Sequence, residues 1–316
     1  MTAPHLLIGL SAVMVALKDD GEPNLLVTRR PSGEDALPFG PFDPLNHRTF
    51  DLSLRGWVRE QTGFEIGYVE QLYTFGDKDR ETPGATLSGA QPDSRVISVG
   101  YLALTPEPRP ADASFEARWQ DWYQYFPWED HRTRRPPIID AEIAPRLRTW
   151  ALGNERRLER ARLAFGLDGA RWIEERVLER YELLFEAGLV AECARDAGLP
   201  EPDVRLGASM ASDHRRILAT GLTRLRGKIK YRPVVFELMP ERFTLSALQR
   251  SVEGILGLQL HTQNFRRALD KAGLVSGTGL METGTGGRPA ELFIFRRDHA
   301  SSISAPGLAT PRKSVD

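Results

Sequence analysis

Thr262, Gln263, Arg266, Arg267 and Asp270 lie within the segment 261–272, HTQNFRRALDKA, on the side opposite Phe265, Ala268, Leu269 and Ala272. That separation is the signature of a short amphipathic helix with one apolar and one polar face. The chemistry of the polar face is specific. A guanidinium such as Arg266 or Arg267 can bridge the two acceptors of a guanine edge or hold a phosphate. The amides of Gln263 and Asn264 suit an adenine edge or a phosphate. Asp270 departs from a purely basic surface.

The surrounding elements are those needed to present such a helix. Thr244 and Ser246 offer start signals for a preceding helix, and Leu245, Leu248, Val252, Ile255 and Leu256 give it one apolar face. Gly257 ends that helix, a four-residue turn follows, and Gly273 ends the second helix. Extended pieces are expected at 274–275 and 291–295, with a loop of five glycines ending in Arg288 between them. Helix, turn, helix and glycine-rich β-loop is the layout of a winged helix-turn-helix, whose second helix enters the major groove while the wing touches the backbone. A small α+β packing unit, or a module for binding protein, would share this layout.

The chain has 316 residues, 41% apolar and 27% charged, enough for two globular domains with a helical piece between them. A net charge of −1 excludes a generally basic nucleic-acid coat, so any such contact comes from a local patch. The single cysteine, Cys193, excludes an internal disulfide and a cysteine-rich zinc site, and is expected to be a buried or half-buried thiol in a helix. The apolar run near the N-terminus has no basic leader and is too short to span a bilayer. A core strand accounts for it, and a cytoplasmic location without membrane contact is expected.

From the N-terminus the pattern predicts strands at 7–17 and 24–29, a loop with Pro31, Gly33, Pro38, Gly40 and Pro41, and a helix over 48–61. Strands are expected at 65–75 and 95–104, flanking a mobile loop over 76–93. The loop reads Leu37-Pro38-Phe39-Gly40-Pro41-Phe42-Asp43-Pro44, and the helix ends Gly56-Trp57-Val58-Arg59-Glu60-Gln61-Thr62-Gly63. Together these resemble the Nudix box, a Leu-Pro-Gly-Gly loop opening onto an Arg-Glu-x-x-Glu-Glu-x-Gly helix in an α/β/α sandwich. Against that motif, Gly56 and Trp57 replace Arg and Glu, Gln61 replaces the second glutamate, and the spacing is two residues longer. Only Glu60 remains. Cleaving a pyrophosphate with magnesium needs several carboxylates around the cation, so the expectation is no catalytic residue and no metal site. A divergent ADP-ribose or nucleoside-diphosphate pyrophosphatase with a DNA-binding appendage is the alternative.

Between these ends, FEARWQDWYQYFPWEDHRTRR (115–135) interleaves aromatic and basic side chains. They suit either stacking on an adenine or packing between domains or subunits, and packing is the expectation. Helices are expected at 140–153, 154–166 and 169–187, with a further pair to about Gly198. Their many Glu and Arg side chains, Arg176 and Arg180 among them, read as solvated faces. Expected boundaries are a Nudix-like domain at 1–150, a connecting or dimerising helical segment at 151–205, a winged helix-turn-helix domain at 206–299 and a disordered tail at 300–316. The fold class is α/β plus α+β.

The stretch Leu-Arg-Gly-Lys-Ile-Lys-Tyr (225–231), then Leu-Met-Pro-Glu-Arg-Phe-Thr-Leu (238–245), Asn-Phe-Arg-Arg (264–267) and Gly-Arg-Pro-Ala (287–290) follows the stripped Nudix frame. This combination resembles the Nudix-related transcriptional regulators of bacterial NAD metabolism, of the NrtR type, and the Pro-Phe-Gly-Pro-Phe-Asp-Pro loop resembles the NadQ type. The resemblance implies a homodimeric repressor of NAD biosynthesis genes that binds double-stranded operator DNA. It implies control by ADP-ribose, ATP or NAD(H) bound to the inactive Nudix domain, with no catalytic cofactor. Carried onto this chain, the DNA-contacting residues would be Lys228, Lys230, Thr244, Thr262, Gln263, Asn264, Arg266, Arg267 and Arg288. The effector would be met by Arg29, Arg30, Phe39, Trp57, Glu60 and Arg95, since the arginines at strand ends beside the loop can reach phosphates.

Overall fold

The computed structural model describes residues 6–77, 95–106, 116–282 and 289–297. Arg288, the tail 300–316 and most of the loop expected at 76–93 lie outside the described residues. Strand β1 (Leu6–Leu17) is apolar on both faces, the composition of a central strand covered from both sides. Strand β2 (Pro23–Arg29) returns antiparallel to it across a turn at Lys18–Glu22. Short strands β3 (Asp35–Ala36) and β4 (Phe39–Pro41) pair with β2 and β1. Helix α1 (Phe50–Thr62) starts where Thr49 accepts the Leu52 amide and stops at Gly63, whose φ of 72° is left-handed. Strands β5 (Tyr68–Phe75), β6 (Arg95–Leu104) and β7 (Ala117–Asp121) complete a mixed sheet in the order β3-β2-β1-β6-β5, with β4 on β1 and β7 on β2. The parallel β1–β6 pair requires a crossover, and α1 with β5 supplies it.

The middle segment begins with a π-helical turn (Ile139–Ile143) and continues as α2 (Ala144–Trp150), α3 (Glu155–Phe165), α4 (Val177–Glu186) and α5 (Ala191–Ala197). The helix expected from Gly169 starts only at Val177. Asp168 and Gly169 take left-handed φ values of 50° and 78°, so the chain turns before it can wind. Cys193 lies half-buried on α5.

Helix α6 (His214–Tyr231) follows. Its Ile217, Leu218, Leu222 and Leu225 share one core with Val13, Val15 and Leu17, while Leu54 and Val58 of α1 pack with Leu10, Ala12 and Met14. Alternate residues of β1 thus face opposite helices, and the expected α/β/α sandwich is observed. Because α6 covers the N-terminal sheet, the division expected at residue 206 cuts through this packing.

The C-terminal unit is built from β8 (Phe243–Thr244), α7 (Leu245–Leu256), α8 (Thr262–Ala272), β9 (Val275–Glu282) and β10 (Ala290–Phe295). Its sheet runs β8-β10-β9, so the two helices lie between its first and last strands in sequence. No helix among the described residues is long and apolar enough to cross a membrane.

The aromatic stretch is core. Trp122, Tyr125, Phe126 and Trp128 have no accessible surface, which leaves no face for stacking on a base. Arg180, read from sequence as solvated, is fully buried as well. Its guanidinium holds Glu129 at 2.5 and 2.8 Å, and Arg226 of α6 reaches the same carboxylate at 2.6 Å. Burial alone would raise the Glu129 carboxyl, but the two guanidiniums outweigh it and leave the group lowered and charged.

Candidate nucleic-acid interface and sensor site

Helix α8 is fastened by its apolar side. Phe265 and Leu269 are fully buried, whereas Thr262, Gln263, Arg266 and Arg267 are exposed and Asn264 is half-buried. Asp270 and Lys271 extend the exposed face. The turn before it is closed by two side chains of α7 that the sequence reading passed over. Glu253 accepts the Leu260 amide at 2.8 Å, and Gln249 donates to Glu253 at 3.0 Å. Their only signal in the sequence was an i,i+4 polar pair.

Three expected DNA contacts are engaged elsewhere. Thr244 is buried, and its hydroxyl accepts the Ala247 amide at 3.1 Å as the N-cap of α7. Lys228 binds Glu70 and the Tyr68 hydroxyl of β5, the latter at 3.0 Å. Lys230 pairs with Glu174 at 2.7 Å and with Glu175. Both lysines lie on α6 and tie it to the N-terminal sheet and the middle segment.

The Nudix-like loop is held at every residue from Leu37 to Pro41. The Leu37 amide donates to His214 Nδ1 at 3.0 Å, and the Ala12 amide donates to the Pro38 carbonyl at 2.9 Å. Phe39 is gripped twice by Gln61, whose side-chain oxygen accepts its N–H at 3.1 Å and whose amide donates to its carbonyl at 2.5 Å. Gly40 lies directly beneath the Trp57 indole, where any Cβ would overlap the ring, and Trp57 Nε1 donates to the Pro41 carbonyl at 2.8 Å.

Of the expected effector residues, Phe39 is thus buried, with the Arg30 guanidinium 3.8 Å from its ring centroid and His214 edge-on at 5.0 Å. Trp57 is a packing residue of the loop. Arg29 and Glu60 are exposed, and Arg95, also exposed, donates to the Gly76 carbonyl at 2.6 Å. Phe39 packs with Leu7, Val96 and Ala211, which brings the start of β6 next to the loop.

A Nudix fold implies a divalent cation held by clustered carboxylates. The residues of α1 do not fit one. Among the described residues Glu60 is the one carboxylate left at the motif's positions, Gln61 is an amide committed to Phe39, and Trp57 covers Gly40. Among the described residues no three His, Cys, Asp or Glu side chains gather to hold a metal ion. Where the motif binds metal, this helix binds its own loop.

His214 comes from α6, on the far side of the sheet from α1. Burial, with Arg30 and Arg195 nearby, lowers it from its ordinary value of 6.5 to about 3, so it is neutral in the folded chain. In the unfolded chain it takes a proton below about 6.5. Stability from this group is therefore complete above that pH and is lost as pH falls towards 3, at up to about 1.4 kcal/mol per pH unit. His131, lowered to about 4 chiefly by burial, adds in the same direction. Melting temperatures between pH 7 and 4 should fall steeply, and His214→Gln should flatten the slope by up to one proton.

Two helices joined by a pinned turn, set between the first and later strands of a three-stranded sheet, define a winged helix domain. It is carried here on a Nudix-like sandwich. Residues 235–295 match the family described as the NrtR DNA-binding winged helix domain. The ADPR responsive transcriptional repressor NtrR of Acinetobacter baylyi is 38% identical to this chain over 90 residues. That match covers 28% of this chain and 36% of the relative, about a third of its length.

Among solved structures, NrtR of Shewanella oneidensis complexed with a 27mer DNA is similar with a TM-score of 0.55 at 21% identity, covering 93% of this chain and 95% of that one. A second crystal structure of Shewanella oneidensis NrtR gives a TM-score of 0.56 at 20% identity, covering 93% of this chain and 96% of that one. A MutT/nudix family protein from Enterococcus faecalis gives 0.53 at 18% identity, covering 93% and 89%. The C-terminal unit is thus similar to the NrtR winged helix domain, and the whole chain shares the fold of the Shewanella structures, as the sequence resemblance implied.

Proposed function

We propose that this protein is a transcriptional repressor whose winged helix reads operator DNA and whose Nudix-like domain senses an adenine-containing, NAD-related metabolite. The observation that carries this reading is α8, with Thr262, Gln263, Arg266 and Arg267 exposed on a helix fastened by Phe265 and Leu269, inside a segment that matches the NrtR winged helix. Asn264 sits at the edge of the same face, and Arg288 belongs to the segment that joins β9 to β10. ADP-ribose is the first effector to test, because the Acinetobacter relative is described as ADPR responsive; ATP and NAD(H) are the others. Regulation of NAD biosynthesis genes, a homodimer that pairs two recognition helices, a cytoplasmic location and the absence of hydrolase activity belong to the same proposal. The effector would act by binding the DNA-competent and DNA-incompetent states with different affinity.

The effector contacts we propose are the exposed Arg29, Glu60 and Arg95 with Arg30 at the loop. Arg266→Ala and Arg267→Ala should each weaken specific DNA binding by ~1–3 kcal/mol where the side chain reads a base. Fluorescence anisotropy against specific and scrambled duplexes measures this, and unchanged affinity in both variants would remove α8 from the interface. Thermal shift with ADP-ribose, ATP, NAD+ and NADH tests the sensor, since a ligand bound to the native state at a hundred times its Kd adds about 2.7 kcal/mol. ADP-ribose with magnesium should yield no product, and product formation abolished by Glu60→Gln would restore the hydrolase reading.

A further inference from the structure

The recognition helix does not cap itself. His261 occupies its N-cap position and makes no side-chain bond to the helix, so no cap at that position fixes where α8 begins. The side chains that hold the turn ahead of it are Gln249 and Glu253, one turn apart on α7. Glu253 Oε1 accepts the Leu260 amide at 2.8 Å and the Gln249 side-chain amide at 3.0 Å. Gln249 Nε2 also faces the Leu260 carbonyl at 3.2 Å and the Thr262 hydroxyl at 3.3 Å, the latter on α8 itself. One residue of the turn thus has both its N–H and its carbonyl taken by the same pair of side chains. The other end of the turn is immobilised from the N-terminal side. The His131 amide donates to the Gly257 carbonyl at 2.8 Å, and Arg226 Nε donates to the Ile255 carbonyl at 2.9 Å.

We infer that Gln249 and Glu253 are positioning residues of the DNA-reading surface, fixing where α8 begins and the angle at which it leaves α7. The inference rests on the DNA-binding reading above. A base contact depends on angle far more than a phosphate contact does, because acceptor pairs on a base edge demand a directed bidentate approach whereas a phosphate is met by charge from many directions. Loosening the turn should therefore degrade discrimination between sequences before it degrades general affinity. Both side chains are half-buried against the turn, on a different side of α7 from Leu248, Val252 and Ile255, so removing them loosens the turn rather than those apolar contacts.

The test uses the full chain with a duplex selected from a random pool and a scrambled duplex of equal length, read by anisotropy. Glu253→Ala is expected to cut the preference for the selected duplex at least tenfold, with affinity for scrambled DNA unchanged and the protein still folded at the assay temperature. Glu253→Gln should keep the preference, since an amide oxygen still accepts the Leu260 N–H. Gln249→Glu removes the donor and sets two carboxylates side by side, and should behave as Glu253→Ala. Hydrogen exchange at the Leu260 amide should accelerate in the two damaging variants alone. An unchanged preference in Glu253→Ala, or equal loss in Glu253→Gln, overturns the inference while leaving the DNA reading in place. A wild-type protein without any preference overturns the DNA reading, and this inference with it.

Discussion

Glu129→Ala should be the most destabilising single substitution in the chain, at about 3–5 kcal/mol. The carboxylate is fully buried and serves Arg180 of α4 and Arg226 of α6, both of which are also fully buried. Removing it leaves two guanidiniums with no counter-charge in a site water does not reach. Their remaining bonds go to neutral acceptors, the carbonyls of Ala164, Ile173 and Glu174 for Arg180, and the carbonyls of Ile255 and Glu174 with the Tyr123 hydroxyl for Arg226. Neutral dipoles solvate a cation but do not neutralise it, so the loss greatly exceeds that of a surface pair, ~0–1 kcal/mol. Glu129→Gln, with nearly the same shape, separates charge from packing and should retain only a minor part of the stability. Urea denaturation of the three proteins measures this, and a Glu129→Ala loss below about 1 kcal/mol would contradict the description of the network.

Gly254→Val is the second large effect. Gly254 lies against Gly21 at the tip of the β1–β2 hairpin, and a Cβ there would overlap the Gly21 carbonyl oxygen. A Cβ on Gly21 would in turn lie 2.8 Å from the Arg250 carbonyl carbon, and Gly21 holds a φ of 88°. Both obstacles are main chain, so no side-chain rotation relieves them. The same contact carries a hydrogen bond from the Tyr123 hydroxyl to the Gly254 carbonyl at 2.7 Å.

Two effects compete. Alanine in place of a helical glycine gains about 1 kcal/mol of helix propensity. Overpacking against a rigid backbone costs about 1–3 kcal/mol, and more for a branched side chain. The clash should win, lifting α7 from the hairpin and lowering both melting temperature and DNA affinity. A raised melting temperature in Gly254→Ala would show that α7 does not dock where described.

Much of the fold was legible because periodicity reports burial. The two-sided apolar run of β1, the amphipathic α1 and the stop glycines Gly63, Gly257 and Gly273 placed their elements within a few residues. What was illegible depends on distant partners. Arg180 looks like a solvated helix charge until Glu129, far away in sequence, is brought between it and Arg226. Lys228 and Lys230 fit a basic approach to DNA by type, yet α6 turns them onto Glu70, Glu174 and Glu175. Thr244 was legible as a helix start, and that local role is the reason it is unavailable to DNA. The replacement of the motif's second glutamate was readable at Gln61. That its amide would bind the Phe39 backbone was not, because the loop conformation is a tertiary fact.

The most direct test of the central claim is selection of DNA by the full-length protein from a pool of randomised 30-base-pair duplexes, in parallel with an Arg266→Ala/Arg267→Ala variant and with ADP-ribose added to the wild type. A winged helix that reads operator DNA under control of a sensed nucleotide should enrich one sequence family, with half-sites about one helical turn apart if two copies bind together. The double variant should lose that enrichment, and ADP-ribose should shift the affinity for the enriched duplex. No enrichment by the wild type, or the same enrichment by the double variant, would contradict the account.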